Sequence, residues 1–229
     1  MSTKSAEQLA DQTLLEVLDI ATAMSSASDL RTLLHLILGK CRQLTNSDAG
    51  SIFLVEPHDP RKQPEGQDQL WFAVSQNATI EARRAGDDSD GAMEAQVLNI
   101  RFPLSPERLV GWSALSGEVL NIPDAYQLDP ALPYRFDRGM DQKLDYRAVS
   151  MLTVPMRSTS GEIVGVVQLI NRKHDAATLI TPETAHVQTR PFDAFDQTLI
   201  EALASQAAVC VERTRLLQSQ EQLIDAIIA

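Results

Sequence analysis

Hydrophobic and polar positions follow two periods along this chain, and the changes of period mark its elements. From Asp193 to about Ile228 the apolar pairs Ala202/Leu203, Val209/Cys210, Leu216/Leu217 and Leu223/Ile224 return every seven residues, with Leu199 leading and Ile227/Ile228 trailing. A seven-residue repeat sustained over four heptads predicts one long helix that carries a coiled-coil seam as well as a sheet-facing side. At about 1.5 Å per residue it projects beyond a domain of this size. The helical pattern breaks off with no Gly, Pro or cap, so the natural chain is expected to continue past it. Helical spacing also marks Ser5 to Met24, through Leu9, Leu14, Leu15, Val17, Leu18 and Ile20. After Ser25-Ser-Ala-Ser-Asp29, rich in capping side chains, it marks Leu30 to Leu44, with Leu30, Leu33, Leu34, Ile37, Leu38 and Cys41 on one face.

Short β-branched and aliphatic runs predict strands between the helices. Val149 to Met156 and Ile163 to Ile170 flank Arg157-Ser-Thr-Ser-Gly-Glu162, whose glycine suits a tight turn, so the two runs read as an antiparallel hairpin. Ser51 to Val55, Leu70 to Val74, Val97 to Phe102 and Glu118 to Ile122 are further strands, with Asn46 to Gly50 read as a turn and Glu56 to Asp68 as a loop. The charged stretch Ala78 to Ala95 reads as a loop or a short helix. Pro106 to Leu115 is a helix with its proline in the first turn, where a missing donor costs nothing. Pro123 to Arg147 has three prolines, five aspartates and little periodicity. A connection this long is usually a lid or a binding loop, and the alternative is a surface insertion.

A formal charge of -11 disfavours nucleic acid and anionic lipid surfaces as partners, and an anionic small ligand needs a local positive pocket. Hydrophobic residues make up 44% of the chain, enough for a substantial core. The two cysteines, Cys41 and Cys210, both lie in helical patterns and fit buried thiols in a reducing compartment. No apolar run reaches a membrane span and the N-terminus lacks a signal peptide's apolar segment, which makes the cytoplasm the expected address.

Catalytic and metal-binding signatures are missing from the sequence. There is no G-x-S-x-G, phosphate loop or H-E-x-x-H, and His35, His58, His174 and His186 lack ligand spacing. Asp137, Asp141 and Asp145, spaced by four, could share a helix face and are most simply solvated. No catalytic residue, metal or required cofactor is expected.

The string NIPDAY from Asn121, then Asp129-Pro130, Phe136, Asp141, Tyr146-Arg147, Ser150-Met-Leu, Val154-Pro155 and Gly165-Val-Val-Gln-Leu-Ile-Asn171 together resemble a GAF domain of the phosphodiesterase-like branch. Its Asn-Lys-Phe-Asp-Glu motif falls on Asn171, Arg172, Phe192, Asp196 and Gln197, with Arg for Lys and Gln for Glu. The resemblance covers about residues 29 to 217. It leaves 1–28 as a dimerisation or signalling helix and 218–229 as the start of a linker to an effector domain. It implies an α+β fold: about six antiparallel strands, the long terminal helices on one face and a ligand pocket on the other, covered by short helices and the Pro123–Arg147 connection.

The same resemblance places Leu109, Val110, Trp112, Phe136, Asp141, Leu144, Ala148 and Gln168 near the ligand. Trp112 read alone is more simply a core residue. Asp141 matches an acidic position of cyclic-nucleotide-binding members, whereas Leu144, Ala148 and Gln168 stand where those members carry threonines and a glutamate. A cyclic nucleotide thus remains a candidate with fewer hydrogen bonds. The Arg172–Asp196 pair is implied to fasten a strand to the last helix. The expected function is a non-catalytic sensor that signals through its C-terminal helix to an output domain, with an HD-GYP-type cyclic-di-nucleotide phosphodiesterase suspected and a homodimer formed through the terminal helices. The alternative is a ligand-free dimerisation module whose pocket is filled by Trp112, Phe136 and leucines.

Overall fold

The computed structural model of the protein describes residues 30–59, 65–84 and 100–228. The helix expected over Ser5 to Met24 and the proposed 1–28 segment lie outside them. A seven-stranded antiparallel sheet organises the molecule. Helix α1 (Leu30–Thr45) buries Leu33, Leu34, Ile37, Leu38 and Cys41, the i, i+3, i+4 stripe of its sequence. The Thr45 hydroxyl closes the helix on the Cys41 carbonyl at 2.7 Å, and Asn46 turns the chain with φ 57°. One left-handed residue suffices, so β1 (Ser47–Glu56) starts four residues earlier than its composition suggests and absorbs the expected turn.

Strand β2 (Gln69–Asn77) pairs with β1 and passes into helix α2 (Ala78–Arg84). After the undescribed 85–99, β3 (Arg101–Pro103) edges the sheet beside β2. Helix α3 spans Leu109–Ser116 and not Pro106 to Leu115. Pro106 belongs to the preceding turn, because the chain crosses itself there: a Cβ on Gly111 would lie 1.9 Å from the Ser105 carbonyl oxygen. Strand β4 (Leu120–Ile122) pairs with β5 (Met151–Arg157), and β5 with β6 (Ile163–Lys173) across a turn in which Gly161 has φ 91°. Helix α4 (Gly139–Leu144) breaks the long connection. Helix α5 (Ala185–Gln188) and β7 (Thr189–Arg190) lead into α6 (Ala194–Ile228). Sheet order is β3-β2-β1-β6-β5-β4, with β7 pairing the end of β6.

The two long helices cover one face. Ile200, Leu203, Ala204, Ala207, Ala208 and Val211 of α6 are buried against Leu152, Val154, Val167 and Leu169 of the sheet and the apolar stripe of α1. Small alanines let α6 approach the sheet closely, and each fully buried Leu or Ile adds roughly 1.5–3 kcal/mol. The heptad pairs leave this stripe along the helix: Leu203 is buried in it and Cys210 half-buried against it, whereas Val209, Leu216, Leu217, Leu223 and Ile224 are exposed. Cys41 is buried and Cys210 half-buried, both as free thiols, and burial pushes the Cys41 thiol up to about 12. No helix among the described residues is long and apolar enough to cross a membrane.

Candidate functional site

A row of polar side chains crosses the sheet face opposite the long helices. Register aligns Ser75, Ser51, Gln168 and Thr153 on β2, β1, β6 and β5. Apolar rows flank it, with Phe53 and Val166 on one side and Met151 and Ile170 on the other. Gln168 donates from Nε2 to the Thr153 hydroxyl at 3.1 Å. Its carbonyl oxygen and the Ser51 hydroxyl make no hydrogen bond among the described residues, although the two residues are only 8% and 7% exposed. Polar atoms held in a row and left without partners among the described residues can hydrogen-bond a planar ligand laid on the strands.

Helix α3 and the 123–148 connection form the cover. Val110 and Ala114 pack with Phe53 and Val166, while Leu109, Trp112, Phe136 and Ala148 join Met151 and Tyr134. Leu144 belongs to a separate cluster with Tyr146, Val149 and Ile180. Of the eight residues expected at a ligand, the structure thus brings Leu109, Trp112, Phe136 and Ala148 into one apolar cover, puts Gln168 on the floor and sends Val110 and Leu144 into neighbouring clusters. The Trp112 indole donates to Glu118 at 3.0 Å.

Asp141 is occupied by the cover itself. Its Oδ2 accepts from the Tyr126 hydroxyl at 2.9 Å and from the Ala148 amide at 2.8 Å. Burial raises its pKa, opposed by those two hydrogen bonds and by the nearby Arg147 cation. Arg138 and Arg147 stand over the Tyr126 ring at 4.3 and 4.5 Å. The shared helix face expected for Asp137, Asp141 and Asp145 does not form. Helix α4 is only six residues long; Asp137 precedes it and caps the Gly139 amide, and Asp145 ends it at φ 47°.

Asn171 joins the end of the cover to the sheet. Its φ of 59° suits asparagine, and its side chain accepts from the Val149 amide at 2.7 Å and donates to the Tyr146 hydroxyl and the Arg147 carbonyl at 2.9 and 2.8 Å. The next residue faces α6: Arg172 reaches Asp193 and Asp196, both at 2.8 Å. Those aspartates cap each other's amides at the helix start. Amide hydrogen bonding holds the Asp193 carboxyl below its usual range, whereas burial raises that of Asp196. Phe192 is buried with α6, and Gln197 hydrogen-bonds Glu201 along the helix.

Several site residues escaped the sequence reading. Ser51, Ser75 and Thr153 needed strand register, which no local pattern supplies. Asp48 is wholly buried and accepts from Tyr146 and Thr79 and from Lys173 at 3.1 Å, yet its neighbours had suggested a turn. Outside the expected pocket, a cleft of about 400 Å³ opens along β4 and the first half of the cover, lined by residues between Asn121 and Tyr134. No group of three His, Cys, Asp or Glu side chains could hold a metal among the described residues.

Comparison with known proteins gives a match of residues 29–211 to the family model described as GAF domain. The chain is 30% identical over 160 residues to the dual 3',5'-cyclic-AMP and -GMP phosphodiesterase 11 of Drosophila melanogaster, covering 68% of this chain and 10% of that protein. It is 31% identical over 155 residues to the phosphodiesterase 11A of the same description from Takifugu rubripes, covering 68% of this chain and 15% of that protein. In fold it is similar to the GAF domain of an Acinetobacter phosphoenolpyruvate-protein phosphotransferase, with TM-score 0.59 and 15% identity over 91% of this chain and 98% of that one.

Proposed function

The chain belongs to the GAF-domain family, and from that premise we propose that it is a regulatory sensor that binds a cyclic nucleotide or a similarly flat, polar-edged molecule between sheet and cover. The family is regulatory and not catalytic. The observation that carries the ligand reading is the row Ser75, Ser51, Gln168 and Thr153, whose unspent hydroxyl and amide oxygen lie under an apolar cover. The phosphodiesterase relatives, named for cyclic AMP and cyclic GMP, support this class of ligand. Leu144 and Ala148 offer no hydroxyl, so recognition falls on the floor.

Signal passes through the cover's attachment. A ligand that favours one arrangement of residues 146–149 acts on Asn171, which holds that segment; Arg172 is adjacent and grips the start of α6. The shift in α6 is limited by the ligand's differential affinity for the two arrangements. Beyond Arg215, α6 carries exposed heptad positions suited to a homodimer and to an attached output domain, for which we retain an HD-GYP-type phosphodiesterase, in the cytoplasm. The second reading, a ligand-free dimerisation module, draws on Trp112, Tyr134 and Phe136 packing together within the cover.

A thermal-shift titration with cyclic AMP, cyclic GMP and unrelated metabolites tests this. The expected result is a concentration-dependent rise in melting temperature for a cyclic nucleotide, reduced in Gln168→Leu. A wild-type protein indifferent to every compound favours the ligand-free module.

A further inference from the structure

We propose that the cleft along β4 is a second binding site, separate from the sheet-and-cover pocket, and that it takes a small organic cation, an ammonium or guanidinium on an apolar body. Its volume of about 400 Å³ falls in the range of small-molecule sites. The walls are apolar, formed by Ile122, Leu128, Leu132 and Tyr134, and the rim carries Asp124 and Asp129.

The cleft is preformed. Asp124 caps a 3-10 turn through the Tyr126 amide at 2.9 Å, and Asp129 accepts from the Ala131 amide at 2.8 Å. Arg135 donates to the carbonyls of Pro130, Leu132 and Tyr134, which braces the wall. The Tyr134 ring packs on Trp112 at 5.8 Å between centroids. Glu118, bonded to the Trp112 indole, lies close enough for its charge, after burial, to raise the Tyr134 hydroxyl.

Charge complementarity selects the ligand. Asp124 accepts through both oxygens, from the Tyr126 amide and the Gln127 side chain, whereas Asp129 accepts through one oxygen and keeps the other for a cation. An anion of the same shape meets carboxylates at the rim, and Arg135, which donates to loop carbonyls, is not among the residues that line the cleft.

Amide chemical shifts of the full chain, titrated with phenethylammonium and separately with 3-phenylpropionate, test this directly. Shifts of Asn121, Leu128 and Leu132 with the cation and none with the anion are expected. Asp129→Asn, which keeps an oxygen for the Ala131 amide, should weaken the cation by about two- to fivefold, the size of one exposed charge pair. Equal response to both probes, response to neither, or unchanged affinity in Asp129→Asn overturns the proposal. Cation-induced shifts confined to Ser51 and Gln168 also overturn it, by assigning the cation to the floor. Failure here leaves the cyclic-nucleotide reading intact, since that is read from different residues.

Discussion

Lys173 and Asp48 form an ion pair 3.1 Å long with side chains only 4% and 0% exposed. The pair joins β6 to β1 beneath the end of the cover, where Asp48 also accepts from Tyr146 and Thr79 and Lys173 donates to the Thr178 carbonyl at 2.8 Å. Burial and the Asp48 carboxylate raise the Tyr146 hydroxyl well above its ordinary range, so it stays a donor. Asp48→Asn leaves an ammonium without its counter-charge and should cost about 3–5 kcal/mol in urea unfolding. Asp48→Asn combined with Lys173→Met should cost less than Asp48→Asn alone. Equal losses in both would show that the charge is not what matters.

The two aspartates on Arg172 are unequal in burial, at 3% and 52% side-chain exposure for Asp196 and Asp193. Asp196→Ala takes the buried partner from a guanidinium that is itself 11% exposed, leaving it only the solvated Asp193, and removes a helix cap, for about 3 kcal/mol. Asp193→Ala loses a solvated pair and one cap, about 1–2 kcal/mol. Thermal unfolding should therefore rank Asp196→Ala below Asp193→Ala. An unshifted melting temperature in Asp196→Ala would remove the link between β6 and α6.

Elements with a strong period were legible in the sequence. The α1 stripe, the β5–β6 hairpin and α6 follow from spacing alone, and the family resemblance supplied the sheet's arrangement. Readings failed where long-range geometry overrode local composition. Asn46 to Gly50 has turn-forming residues, yet β1 begins at Ser47 because Asn46 alone turns the chain. Pro106 has a helix-start signal, but the contact between Gly111 and Ser105 sets the start at Leu109. Of the polar floor only Gln168 was named, through the resemblance, since Ser51 and Thr153 become its neighbours only through pairing across three strands.

Asp141 gives the cover a pH dependence. Burial raises its folded pKa above the ordinary aspartate value of 3.8, so the folded state takes up a proton before the unfolded chain does. Its contribution to stability is fully present below 3.8 and is lost as pH rises through the folded value. Asp141→Asn keeps an oxygen for Tyr126 and the Ala148 amide without the charge. The melting temperature of wild type minus that of Asp141→Asn should fall as pH is raised from about 3.9 towards neutrality, and a flat difference would mean that the carboxyl is not desolvated.

On α6 the exposed seam and the buried stripe can be separated by mutation. Leu216 and Leu223 are 61% and 64% exposed, seven residues apart and past the buried Val211. Both are surface positions, so replacing them with Lys should change stability at high dilution by no more than about 0.5 kcal/mol per site. In the proposed homodimer the same residues meet their copies, and a lysine pair there repels while leaving the seam without apolar cover. Light scattering should then record a dimer for the wild type and a monomer for the double variant. A wild-type monomer would overturn the homodimer.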